Sequence, residues 1–301
     1  MRNAIALTIN RIQLALRNRL FLFFSLMMPL VFLFLFLGIF SRGVPAAMPP
    51  LLGQVVAITV MGNFWGLSVQ LVTFREQGIL RRFRLAPVGP AAMLISSIIA
   101  NYVLTLPTII LEFVLARLIF HMSAFGNVWG VFVLCSLGVI SFASLGLIIA
   151  SVMNTMQETQ VINQLIWFAF IFLSGATFPL VLLSKYVQDA ALFLPATYLV
   201  DATQRAMNQN VQLTSLVPHL ISLIGTAVIA FSLSVKLFRW DASEKASRNA
   251  KLWALATVIP FVVLGVYEIT YGQLRRDAGV TFELMQQRTA PPQTQPDKDL
   301  H

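Results

Sequence analysis

Between Arg19 and Arg42 the chain runs for 22 residues without a charge. A helix satisfies its own backbone hydrogen bonds in hydrocarbon, and about 20 apolar residues cross a bilayer core of about 30 Å. Similar runs follow at about Leu51–Phe74, Ala91–Leu111, Val128–Val152, Val161–Leu183 and Val217–Leu237. Charged residues make up 11% of the chain and hydrophobic ones 57%, where soluble domains carry about 25% charge. A water-soluble enzyme, a disordered chain and a disulfide-stapled scaffold are excluded. The runs are continuous rather than alternating, which speaks against a β-barrel. The expected fold is an all-α polytopic membrane protein with six core transmembrane helices within residues 20–240.

The basic residues set the orientation. With the N-terminus in the cytoplasm, thirteen Arg and Lys fall on inner segments, among them Arg2, Arg11, Arg17, Arg19, Arg75, Arg81, Arg82, Arg84, Lys236 and Arg239. Four fall outside: Arg42, Arg117, Lys185 and Arg205. This bias predicts a cytoplasmic N-terminus, and it accounts for a pI near 10.3 without nucleic acid as a partner. The first apolar run is too long for the core of a signal peptide, so no cleaved leader is expected. A last apolar stretch, Leu252–Tyr267, holds 16 uncharged residues broken by Pro260. At 1.5 Å per residue it reaches about 24 Å. That suits a seventh span with Lys251 snorkelling, or a re-entrant or interfacial segment. Residues 241–271 thus form a basic linker and this segment. Residues 272–301 form a polar, partly disordered tail.

Two segments outside the spans carry pattern. In residues 1–19, Ile5, Ile9, Ile12 and Leu16 recur at helical spacing, with Asn10, Gln13 and Arg17 on another face. This predicts an amphipathic helix lying at the membrane surface. The block FREQGILRRFRLAPVGP, residues 74–90, places Ile79, Phe83 and Ala86 on one stripe and Arg81, Arg82 and Arg84 elsewhere. Pro87 and Pro90 then stop the helix. A short cytoplasmic amphipathic helix is expected between the second and third spans.

Ionisable residues within a span are functional candidates. Glu112 and Arg117, near the end of the third span, are expected to reach the outer interface. Uncharged polar residues are commoner: Gln54, Asn63 and Gln70 in the second span, Asn101 in the third, Asn163 and Gln164 in the fifth. Asn63, Gln70 and Asn163 are candidates to line a pathway or to bond a neighbouring helix. The scarcity of intramembrane charge speaks against proton-coupled transport. The single Cys135 and the scattered His121, His219 and His301 suggest no metal set, and no nucleophilic triad is evident.

These residues resemble the membrane permease of type-two ABC exporters. That family carries an acidic residue, a glycine two positions on and a later proline between its second and third spans, matched here by Glu76, Gly78 and Pro87. Its second marker follows the fifth span. The matching segment FLSGATFPLVLLSKYVQDAALFLPATYLVDATQRAM contains Ser174, Gly175, Pro179, Pro195 and Arg205. The resemblance covers about residues 1–240. Lys185 stands where the family commonly has a proline, and Leu252–His301 is additional to the usual six spans.

The resemblance implies a transport subunit without its own ATPase site. Two permease copies, identical or related, would form the pathway in a bacterial cytoplasmic membrane, and two ABC ATPase subunits would sit below. Residues 75–87 would act as a coupling helix, through Arg75, Glu76, Gly78, Ile79, Leu80, Arg81, Arg82, Phe83 and Pro87. The segment with Gly175, Pro179, Pro195 and Arg205 would form short outer re-entrant helices, with Tyr186 and Tyr198 suited to an interface. ATP and Mg would be bound by the partner, and no cofactor by this chain, which has no phosphate-binding loop of the Gly-x-x-x-x-Gly-Lys type. A gradient-driven secondary transporter of small amphipathic molecules is the alternative; a membrane anchor without transport is a third reading.

Overall fold

The computed structural model describes residues 2–17, 19–41, 45–83, 89–123, 125–208, 213–241, 252–253 and 256–271. All regular elements among them are helical. Four helices are long and apolar enough to cross a membrane: Met48–Glu76, Pro90–Leu118, Val128–Val152 and Thr214–Lys236. Two shorter apolar helices are Ser25–Phe40 and Ile259–Tyr271.

Helix α1, Arg2–Arg17, lies along α6, Pro90–Leu118. Its packing face is Thr8, Arg11 and Ala15, all buried, while Ile5, Ile9 and Leu16 are exposed. The apolar stripe visible in the sequence is therefore the face turned away from the protein, available to lipid. Arg11 reaches inward, with its guanidinium 5.5 Å from the centre of the Phe74 ring and 3.6 Å from the Met93 sulfur. Burial pulls this guanidinium down to about 10.

The first apolar run forms α2, Arg19–Leu33, with Pro29 inside it. From Phe34 to Phe40 the helix widens to the π form. The second run is interrupted at Gly62, between α3, Met48–Met61, and α4, Asn63–Glu76. A short helix α5, Ile79–Phe83, follows. Helix α6 starts on Pro90, whose missing N–H is no loss in a first turn. It runs to Leu118, so Glu112 lies well inside it and is fully buried. This corrects the expectation that Glu112 reaches the outer interface; Arg117 alone of the pair lies at the helix end, donating to the Met122 carbonyl at 3.2 Å.

Helix α7, Val128–Val152, is the centre of the bundle and packs on α4, α6, α10 (Pro195–Asn208) and α11 (Val217–Lys236). Small residues allow the close approach: Gly138, Ser141, Ala143, Ser144, Gly146 and Ala150 are all buried. A Cβ on Gly146 would fall 2.4 Å from the Phe64 carbonyl oxygen. Asn127 caps the start of α7 by accepting from the Gly130 N–H at 2.9 Å. Helix α8, Met156–Leu173, begins with Thr155 accepting the Glu158 N–H at 3.1 Å. It starts five residues before the expected fifth span and ends ten before it, because Ser174, Gly175 and Pro179 break the pattern.

Beyond α8 come α9, Lys185–Ala191, α10, Pro195–Asn208, and α11, Val217–Lys236. Tyr186 is exposed but Tyr198 is fully buried, and its hydroxyl donates to the Leu192 carbonyl at 2.9 Å. The interfacial role expected for Tyr198 does not hold. The last helix, α12, Ile259–Tyr271, is shorter than and shifted from the expected Leu252–Tyr267. It packs on α9 and α11.

Candidate functional site

Two of the places where polar side chains gather involve both α4 and α8. The first is the junction where α4 ends. Arg75 is buried and donates to the carbonyls of Ala150 at 2.9 Å and of Met153. Glu76 accepts the Met156 N–H at 2.9 Å. Adjacent residues thus serve opposite helix ends: a cation on the last carbonyls of α7 and a carboxylate on the first amide of α8. Both placements match the helix dipoles. Arg239 completes the cluster from the far side. It donates to the Ser151 carbonyl at 3.1 Å, the Met153 carbonyl at 2.7 Å and the Asn154 side-chain oxygen at 3.0 Å.

Gly78 follows with φ of +69°, and its N–H donates to the Arg75 carbonyl at 3.0 Å. A left-handed residue here is the normal end of a helix and favours glycine. It turns the chain into α5, on which Leu80 is buried, Ile79 and Phe83 are half-buried, and Arg81 and Arg82 are exposed. Arg81 lies 3.6 Å from the Asp241 carboxylate. Of the residues expected to meet a partner, Arg75 and Leu80 face inward instead. Pro87 lies outside the described residues.

The second place is a cleft of about 850 Å³ between α2, the α3–α4 break, α6 and α8. Asn63 organises one wall. Its side-chain N–H₂ donates to the Val60 carbonyl at 2.8 Å, just before the Gly62 break. Its oxygen accepts from Asn101 at 2.6 Å and from Thr105 at 2.7 Å. Trp65 and Trp167 also line the cleft, edge to face with centres 6.2 Å apart. Gln160 and Gln164 line the cleft from α8, one turn apart. Among the described residues, none that lines the cleft is charged.

Of the three pathway candidates, Asn63 alone lines this cleft. Asn163 is fully buried and donates to the Ser68 hydroxyl at 2.8 Å, tying α8 to α4. Gln70 is half-buried on α4, away from the lining. Asn101 and Gln164 stand out in the sequence as amides within apolar runs. Gln160, Thr105 and the two tryptophans carry no such mark, and Arg239 reads only as one basic flank among many.

Gly175, Pro179, Pro195 and Arg205 fall on the segment from the end of α8 to α10. Gly175 has φ of +87°, and its carbonyl lies 3.4 Å from the Gln54 amide nitrogen. Arg205 pairs with Asp201 at 2.7 Å, and the same carboxylate oxygen lies 2.7 Å from His219 of α11. Helix α10 is outside the four long spans. Burial acts to raise the Asp201 carboxyl, but His219 and Arg205 prevail and hold it below its ordinary value. Behind the cleft, Thr59 donates to Glu112 at 2.5 Å. Among the described residues no group of His, Cys, Asp and Glu could hold a metal ion.

The model of the family described as "ABC-2 family transporter protein" matches residues 51–236, more than half of the chain. The chain belongs to the ABC-2 family. The match begins in α3 and ends with α11, so it takes in Arg75 and Glu76 of the junction and the α3, α4, α6 and α8 walls of the cleft, but neither α2 nor Arg239. The chain is also similar to the linearmycin resistance permease protein LnrN of Bacillus subtilis (strain 168), with 27% identity over 185 residues. That alignment covers 60% of this chain and 46% of the relative, so the chain spans about half the relative's length. As an ABC-2 family transporter protein with several apolar spans, it is a multi-pass membrane protein.

Proposed function

We propose that this chain is the permease of an ATP-driven exporter for amphipathic molecules, driven by separate ABC ATPase subunits that bind ATP and Mg. The similarity to a resistance permease supports export. The observation that carries the reading is the link from α5 through Arg75 and Glu76 to the α7–α8 turn. Helix α5 presents Arg81 and Arg82 outward. A partner that moves α5 pulls on α8, and α8 forms a wall of the cleft. The coupling surface in this reading is Glu76, Ile79, Arg81, Arg82 and Phe83, with Gly78 as its hinge and Pro87 as its end. Arg75 and Leu80 anchor it from inside.

The pathway is the cleft with Asn63 at its centre, completed by a second permease copy. The junction lies in the cytoplasm, the N-terminus with it, and the α9–α10 segment faces outward in the bacterial inner membrane. Asp241 sits beside Arg81 at the junction, whereas a Cβ on Gly265 would fall 2.6 Å from the Phe193 ring, next to α10. This supports a seventh crossing after six core spans.

The test is a pull-down of tagged full-length protein in mild detergent, with mass spectrometry and an ATPase assay. Wild type is compared with a Glu76→Lys, Arg81→Glu double variant. An ATPase that copurifies with wild type and is lost from the variant supports the reading. No ATPase with either protein overturns it.

One observation favours a second reading. Glu112 is a buried carboxyl within a span, the kind of group a gradient-driven transporter uses. Transport that stops with an uncoupler and persists without ATP would establish that reading.

A further inference from the structure

The cleft holds hydrogen-bonding groups that the protein leaves unused. Gln160 and Gln164 are exposed on α8, and among the described residues their amides make no hydrogen bond. The Asn101 side chain spends its N–H₂ on Asn63, and its carbonyl oxygen accepts nothing among the described residues. In hydrocarbon, amides without partners are unfavourable. Gln164 stands eight residues into α8 and Asn101 eleven into α6, which places them about 12 Å and 16 Å from the helix starts at 1.5 Å per residue. The free groups therefore form a ladder along the cleft, carried by two helices that both line it.

Ser25, Thr59, Asn63, Thr105 and Thr108 also line the cleft, and its apolar and aromatic part includes Met28, Phe32, Trp65 and Trp167. Among the described residues, none of the lining carries a charge. Glu112, to which the lining residue Thr59 donates, is itself fully buried. A charged headgroup would lose its hydration here and gain no counter-ion. A neutral molecule with hydroxyl or amide groups spaced along an apolar body would satisfy the ladder and cover the aromatic wall.

We infer that the cleft binds an uncharged, hydroxyl- or amide-bearing amphiphile, polar groups on Asn101, Gln160 and Gln164 and apolar body against Trp65 and Trp167. The inference rests on the cleft being the pathway of the permease, and names its ligand class. A lipid with a neutral headgroup and a soluble amphiphile share this chemistry.

The test uses the full-length chain in phosphatidylcholine nanodiscs, without an ATPase. Three probes share one brominated alkyl chain and differ in headgroup: a glucoside, a trimethylammonium and a sulfate. Bromine quenches tryptophan fluorescence on contact, and the cleft component is the part lost in Trp65→Phe, Trp167→Phe. The glucoside is expected to quench saturably at a concentration at least tenfold below either charged probe. Asn101→Leu, Gln164→Leu is expected to weaken it at least tenfold. Gln164→Glu keeps the shape and is expected to turn the preference to the trimethylammonium probe. A water-soluble glucoside of short chain that competes identifies a soluble amphiphile as a sufficient ligand; competition by a neutral glycolipid alone assigns the site to lipid. Equal quenching by all three headgroups overturns the inference. So does unchanged binding in the leucine variant, or a loss of dimer in that variant without a change in binding, which would assign the amides to a second copy. A missing ATPase in the pull-down overturns the exporter reading and leaves this binding result standing.

Discussion

Glu76 accepts the backbone N–H of Met156 at 2.9 Å, joining the end of α4 to the first turn of α8 across 80 residues of sequence. The bond needs an acceptor and is helped by negative charge at a helix start. Glu76→Gln keeps the acceptor and is expected to cost under about 1 kcal/mol. Glu76→Lys removes the acceptor and places like charge against the helix end, adding about 0.3–1 kcal/mol. Membrane insertion is expected to survive both changes, with transport lost in the lysine variant alone. Membrane fractionation together with a resistance or efflux assay separates the two effects.

Arg75 and Arg239 both donate to the Met153 carbonyl. Removing one leaves the other in place; removing both strips the end of α7. Arg75→Ala is expected to destabilise by about 1–3 kcal/mol, since it leaves the Ala150 carbonyl without this donor in a buried site. The double variant is expected to be non-additive by about 0.5 kcal/mol or more. Thermal unfolding of the two single variants and the double variant in detergent measures the coupling.

The α4–α7 contact admits no side chain at Gly146, where an added Cβ would meet the Phe64 carbonyl oxygen at 2.4 Å. Gly146→Ala is expected to destabilise by about 1–3 kcal/mol through forced separation of the helices. Gly66 has open space around the same position. Gly66→Ala is expected to be neutral or to stabilise by up to about 1 kcal/mol. Paired melting curves check the contrast.

Acid is expected to loosen the α10–α11 contact through Asp201. Its folded carboxyl lies below its ordinary value because of His219 and Arg205, despite burial. The unfolded chain therefore binds a proton more readily. The stabilisation is complete above the unfolded value of about 3.9 and is lost as pH falls through the lower folded value. Asp201→Asn is expected to lower stability near neutral pH and to flatten the acid limb. A series of melting temperatures from pH 3 to pH 7 reads both.

Element type was legible because lipid leaves few options: an uncharged run must be helical, and α6, α7 and α11 follow such runs closely. The end of α8 was less legible, because the uncharged run continues to Leu183, past the break at Ser174 and Gly175. The packing face of α1 was not. Its apolar stripe points away from the bundle, and the residues that pack are Thr8, Arg11 and Ala15. In a membrane, hydrophobicity no longer separates inside from outside, so the pattern identifies a stripe but not what it touches. Glu112 was misplaced for a related reason. A carboxyl near the end of a run reads as an anchor at the interface, and only the continuation of α6 to Leu118 buries it.

The sequence by itself determined that the chain is helical, that it enters the membrane repeatedly, and that residues 74–90 form a break of unusual composition. These follow from local hydropathy, charge and helix-stopping residues. Tertiary structure decided which side chains meet. It brought Arg75, Glu76 and Arg239 to one interhelical turn, set Asn63 against Asn101 and Thr105, and chose Asn163 for a bond between helices rather than for the cleft. Hydrogen bonds between residues far apart in the chain depend on how helices cross. Those crossings are fixed by the small residues of α7 and by close packing, not by any single segment.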